Sequence, residues 1–212
     1  VTEFRRVLFR SRGARVTGLE RDAHLAGIAR TRLDEVLEVD ITTDAAVAAI
    51  GERRFDTLVF ADVLEHLVDP LATLRRFTPL LEDGGHVIVS LPNVAAWPVR
   101  LRMLRGDFRY EKSGILDETH LRFFTRESAV RLVEDAGLEV LSVHETPMLV
   151  RAARDLLART VVPDGHGEPV PLEDVPAYRA YRALVHPVES RVAALASEFL
   201  SFQTVVVARR RP

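Results

Sequence analysis

Asp62, Glu65 and His66 form a D-x-x-E-H string directly after the apolar run Phe55 to Ala61. If that string opens a helix, positions three and four apart share a face, so all three side chains point the same way. His120, in the later string T-H-L-R-F-F-T, adds a second imidazole. Two carboxylates and two imidazoles are a fitting ligand set for a divalent cation such as Mg, Mn or Zn. Without a metal, His66 or His120 is a candidate general base, because a free imidazole titrates near about pH 6.5. A third reading gives these residues no chemistry. Asp62 then caps the helix, Glu65 complements its positive end, and His120 is a buried hydrogen-bonding residue. The pattern leaves all three open.

The elements that would position them alternate between strand and helix. Short apolar runs at Arg15 to Glu20, Val36 to Asp40, Phe55 to Ala61, His86 to Leu91, Leu138 to Val143 and Phe202 to Ala208 read as strands. Helical spacing fills Asp22 to Leu33, Ala45 to Ile50 (with Asp44 as N-cap), Leu71 to Leu81, and Glu127 to Ala136 closed by Gly137. Phe55 to Ala61 is continuous rather than alternating in its apolar content, as in a strand covered on both faces. The pattern predicts a doubly wound α/β sheet. In such sheets ligands bind outside the carboxyl ends of the strands. The strand-end residues are therefore Glu20, Asp40, Asp62 and Asn93. Acids ending two successive strands suit the ribose hydroxyls and the exocyclic amine of a nucleoside; they equally suit plain helix capping. The only G-x-G, Gly165-His166-Gly167, follows no strand.

Composition narrows the classes. The chain has 212 residues, a formal net charge of −2 and no cysteine. That excludes disulfide scaffolds, zinc–cysteine sites and thiol nucleophiles, and it argues against a nucleic-acid partner. No apolar run approaches the ~20 residues of a membrane helix, and a cytoplasmic location is expected. Lys112 is the only lysine among 29 basic residues, as in a GC-rich bacterial gene. The series Arg100, Arg102, Arg105 and Arg109 either grips an acceptor phosphate or forms a solvated helix face. Trp97, Phe108 and Tyr110 either wall an acceptor pocket or pack in the core.

The segment FDTLVFADVLEHLVDPLATLRRFTPLLEDGGHVIVSLPN resembles the core of class I S-adenosylmethionine-dependent methyltransferases. The segments D-x-L-E-H-L and G-I-L-D-x-T-H-L-R-F-F-T resemble one bacterial branch, often found near glycan-assembly genes. The resemblance spans nearly all of residues 13 to 210. It implies a Rossmann-like sheet whose last strand is antiparallel and inserted between the two before it. It also implies Glu20 for the ribose of S-adenosylmethionine, Asp40 and Ile41 for its adenine, and Ala61 and Asp62 for its methionine end. A metal set like Asp62, Glu65, His66 and His120 resembles the E-x-x-E-H plus distant histidine of ubiquinone-pathway O-methyltransferases and small-RNA ribose methyltransferases, with Asp replacing the first Glu.

Residues 1–11 (VTEFRRVLFRS) back-translate to a stretch resembling a short-read sequencing adapter, so the native chain is expected to start near Arg12. The family's first strand and glycine-rich loop would precede that point. The expected organisation is a methyltransferase core over 12–147, lacking its first strand, a helical cap over 148–199, and the final strand with a basic tail over 200–212. The expected activity is methyl transfer to a hydroxyl-bearing small-molecule or glycan-related acceptor, in an unspecified oligomeric state. The alternatives are a non-catalytic scaffold of the same fold, or ribose 2′-O-methylation of RNA. A nicotinamide dehydrogenase is disfavoured by the missing G-x-G-x-x-G and the absence of a Tyr-x-x-x-Lys pair.

Overall fold

The computed structural model describes residues 13–147 and 197–210. The expected adapter-like segment, nearly all of the proposed cap and the G-x-G string lie outside them. In chain order the elements are β1 (Thr17–Glu20), α1 (Ala23–Arg30), β2 (Glu35–Glu38), α2 (Asp44–Ile50), β3 (Phe55–Ala61), α3 (Pro70–Phe77), β4 (Leu81–Pro92), α4 (Trp97–Leu104), α5 (Arg126–Asp135), β5 (Leu138–Pro147), the short α6 (Ser197–Leu200) and β6 (Ser201–Arg210). β1 and β2 pair in parallel across α1, and β3 and β4 in parallel across α3. These are two β-α-β units, each needing a helical crossover to bring its second strand back parallel. β6 runs antiparallel between β4 and β5, as the sequence led us to expect.

Local chemistry accounts for most boundaries. Asp22 caps α1 by accepting from the Leu25 amide. Asp69 caps α3 through the Ala72 amide, with Pro70 in the first turn where its missing N–H costs nothing. Thr125 and Ser128 form a reciprocal capping box at the start of α5, and Gly137 takes φ +85° just beyond its end. Asp44 is not the cap of α2. It lies inside the helix, after Thr43, and pairs with Arg76 at 2.9 Å. Residues 82–85 join β4 through an irregular register instead of preceding it as a separate turn.

The core gathers on β4 and β6, which are paired on both edges. Val87, Val89, Leu91, Val206 and Ala208 are buried there beneath Leu74, Phe77 and Val133. β3 departs from expectation. Its continuous apolar run predicted cover on both faces, yet Val59 is 44% exposed beside Phe60 at 7%. The reason is that, among the described residues, β3 pairs only with β4, and β1 only with β2. Their facing edges border an apolar groove of about 360 Å³, lined by Val16 to Glu20 on one side and Phe55 to Ala61 on the other. Among the described residues the strands thus form a two-stranded and a four-stranded part where a single sheet was expected.

The groove makes neighbouring residues of one strand unequal. Val59→Ser should cost under about 1 kcal/mol in urea unfolding, and Phe60→Ala roughly 3–5 kcal/mol. Equal costs would mean that Val59 is packed in solution.

Candidate functional site

β3 does not lead into a helix. Asp62 takes φ +54°, the only left-handed non-glycine residue among those described. Asp tolerates this conformation better than most residues because its short side chain bonds locally. Three hydrogen bonds hold it there. Its amide donates to the Ser90 carbonyl at 3.1 Å, while its Oδ1 accepts from Ser90 Oγ at 3.3 Å and from Gln203 Nε2 at 2.5 Å. Leu64–His66 then forms a single 3₁₀ turn, and the helix waits until Pro70. The expectation that Asp62, Glu65 and His66 share an α-helical face is therefore corrected, as is the reading of Asp62 as a helix cap.

Glu65, His66 and His120 nevertheless come together, with one ligand atom of each within 4.8 Å of the others. Asp62 is not part of that trio; its Oδ1 faces Ser90 and Gln203. The imidazole centroids of His66 and His120 lie 4.8 Å apart. His66 Nδ1 donates to the Thr119 carbonyl and hydroxyl, both at 3.1 Å, and His120 Nδ1 donates to the Ile115 carbonyl at 3.0 Å. A carbonyl can only accept, so each ring carries a proton on Nδ1, and the tautomer this selects for a neutral ring is the one with Nε2 as the acceptor. This orientation is the one a base or a metal ligand needs.

Glu65 is 1% exposed, and neither carboxyl oxygen has a hydrogen-bond partner among the described residues. Burial pushes its pKa up to about 8, and the charges of Asp62 and Asp117 push the same way. Desolvation moves His120 in the opposite sense, below the usual histidine value, with the neighbouring His66 adding to the effect. Asp117 stays ionised, held low by the Thr119 hydroxyl and amide. A buried carboxyl without a donor must be neutral or face a cation. The donor set of one carboxylate and two imidazoles suits a divalent ion, so these residues fit the metal expectation.

The expected cofactor residues fall on two adjoining surfaces. A cavity of about 660 Å³ is lined by Arg21, Asp40, Thr42, His66, Arg76 and Thr119, so the end of β2 and His66 border one space. Glu20, Ile41 and Ala61 line the groove between β1 and β3 instead. Asp40 Oδ1 accepts from the Thr42 amide and hydroxyl at 2.8 and 2.7 Å, which lowers its pKa. Glu20 Oε1 accepts from the Asp22 amide at 3.0 Å. Asn93, the remaining strand-end residue, is fully buried and bonds Glu198 and Ser201. It is a clamp between β4 and β6. Three of the four arginines in the series meet acids: Arg100 meets Glu198, Arg102 meets Asp107 and Glu111, and Arg109 meets Asp107. Sequence reasoning missed Ser90, Gln203 and Thr119. Only Thr119 carried a signal, in the turn-forming string Asp117-Glu118-Thr119.

A family model described as a methyltransferase domain matches residues 3–143. The ubiquinone biosynthesis O-methyltransferase of Dinoroseobacter shibae is 33% identical over 132 residues, 60% of this chain and 52% of that protein. The protein of the same name from Aeromonas salmonicida is 26% identical over 65% of this chain, which spans 60% of its length. Among solved structures, a SAM-dependent methyltransferase from Archaeoglobus fulgidus superposes with a TM-score of 0.57 at 12% identity, covering 96% of this chain and 79% of that one. At such identity the likeness shows the fold alone, a Rossmann-like sheet of the class I methyltransferase type.

The buried carboxyl gives a pH signature. In chelator-treated protein Glu65 keeps its proton up to about pH 8, whereas unfolded it ionises above its ordinary 4.5. Its stabilising contribution is therefore complete below about 4.5 and is lost as pH rises toward 8. The melting temperature should fall over that window, and Glu65→Gln should flatten the fall. A profile unchanged by Glu65→Gln would place an ionised carboxylate there.

Proposed function

The chain belongs to the methyltransferase domain family, and we propose that it moves a methyl group from S-adenosylmethionine to the hydroxyl of a small-molecule acceptor. The observation that carries this reading is the pair of imidazoles, His66 and His120, each with Nδ1 against a carbonyl, beside the cavity that Asp40 borders. Transfer from a sulfonium is an in-line displacement at an already activated carbon. The protein mainly aligns the partners and makes the acceptor oxygen a better nucleophile.

In this reading Glu20 takes the ribose hydroxyls, Asp40 and Ile41 the adenine, and Ala61 and Asp62 the methionine end. The low pKa of Asp40 favours it as a permanent acceptor for an amine. Nε2 of His66 or His120 receives the acceptor's proton. Desolvation of His120 keeps it neutral, and so ready to accept, at neutral pH. Glu65, His66 and His120 are also the residues that would hold a divalent cation. Such an ion would supply charge to draw the acceptor hydroxyl toward ionisation.

The test uses the protein and S-adenosylmethionine labelled in its methyl group. Label should pass into a hydroxylated acceptor from a cell extract. Glu20→Ala should weaken cofactor binding by calorimetry by about 2- to 100-fold, the worth of one hydrogen bond to a bound ribose. With a metal in place, chelation abolishes transfer and divalent ions restore it. With a base alone, chelator does nothing and His120→Ala lowers turnover at unchanged cofactor affinity. Unchanged affinity in Glu20→Ala together with no transfer of label would overturn the proposal.

A further inference from the structure

Asp117-Glu118-Thr119-His120 places an acid two residues before a hydroxyl, with an imidazole next in line. An aspartate so placed readily bonds the backbone two residues on, closing a turn with its own side chain. Here one oxygen does so twice. Asp117 Oδ1 accepts from the Thr119 amide at 2.8 Å and from the Thr119 hydroxyl at 2.6 Å. The His120 amide donates to the Asp117 carbonyl at 3.0 Å, so the same turn also sets the backbone of the second imidazole.

These bonds fix more than a turn. A hydroxyl has one proton to give and lone pairs to accept with, and its rotation decides which of them a neighbour meets. Thr119 is an exposed residue, and Asp117 sets that rotation by taking the proton. A lone pair is then what meets His66 Nδ1, 3.1 Å away. Turned the other way, the hydroxyl would donate to Nδ1 and favour the tautomer with its proton on Nε2. The Thr119 carbonyl meets the same Nδ1 at 3.1 Å, so one residue offers two acceptors to one N–H. A hydrogen bond to an ionised acceptor is roughly twice as strong as a neutral one, which makes the carboxylate end of this chain the deciding one.

Burial separates the two rings. His120 is 7% exposed, whereas His66 is half-buried and lines the cavity of about 660 Å³ together with Thr119. The ring bordering the space a ligand would occupy is therefore the ring tied through a hydroxyl to a carboxylate. We propose that Asp117, acting through the Thr119 hydroxyl, is the positioning residue of the site, and that it holds the cavity-lining His66 with its proton on Nδ1 and Nε2 as the acceptor. That arrangement serves His66 equally as a base or as a ligand. The proposal rests on the methyl-transfer reading only for what Nε2 then does, because the tautomer is read without a methyl donor.

The test is the tautomer ratio of His66 in ¹⁵N-labelled protein, free of metal and methyl donor, at a pH where the histidine signals have stopped changing. Thr119→Val keeps the shape of the side chain and the carbonyl but removes the hydroxyl. It should shift the ratio of Nδ1–H to Nε2–H at His66 by about 2- to 12-fold toward Nε2–H, the worth of one hydrogen bond, and leave His120 in place. Thr119→Ser should restore the original ratio. Asp117→Asn keeps an acceptor for the turn but removes the charge, and its ratio should fall between. An unchanged His66 in Thr119→Val, a His120 that shifts as far as His66, or a serine that does not restore the ratio overturns the proposal. In the transfer assay Thr119→Val should lower kcat several-fold at unchanged cofactor affinity. Absence of transfer in the unmodified protein would count against the methyl-transfer reading and leave the tautomer result standing.

Discussion

The carbonyl oxygen of Glu65 accepts the amides of Leu121 and Arg122 at 2.8 and 3.0 Å, and the site depends on that junction. It ties the turn after β3 to Leu121 and Arg122, directly beside His120. Arg122 reinforces it by reaching the Val68 carbonyl through two guanidinium nitrogens, at 3.2 and 2.7 Å. With the two segments joined in this way, His66 finds the Thr119 carbonyl and His120 is pressed against Phe123. The Glu65 side chain has no exit to solvent. Backbone hydrogen bonds thus bring His120 up to Glu65 and His66, the two titratable groups of the 3₁₀ turn.

That arrangement has an electrostatic consequence. A carboxyl buried without donors resists ionisation, and Asp62 and Asp117 raise its pKa further. The histidine beside it is discouraged from protonation by the same dryness. Both groups are therefore most comfortable neutral, and both hold lone pairs toward a common point. Such a centre is poised for a positive partner, whether a proton leaving a hydroxyl or a metal ion. The cavity reaching from His66 to Asp40 gives that partner access.

Much of this was legible in the residues. An apolar run ending in an acid marked the end of β3, and the rarity of paired histidines near acids singled out His66 and His120. The backbone between them was not legible. A helix opening at Asp62 is one reading of the D-x-x-E-H string, although Asp69-Pro70 carries the stronger start signal, a capping acid followed by a proline whose fixed φ suits a first turn. The left-handed Asp62 depends on Ser90 and on Gln203, 141 residues away, which no local pattern reveals. The split between β1 and β3 was likewise invisible, because pairing edges are a property of the whole sheet.

Each of the two imidazoles beside Glu65 is fixed by a carbonyl against Nδ1, which leaves Nε2 to serve as base or ligand. Long-range proton–nitrogen correlation spectra of the ¹⁵N-labelled, metal-free protein at neutral pH read the tautomer of each histidine directly. The account predicts the Nδ1–H form for both His66 and His120, with His120→Ala and His66→Ala assigning the signals. A proton on Nε2 of either ring would contradict it, because that nitrogen could then neither accept a proton from a hydroxyl nor hold a metal.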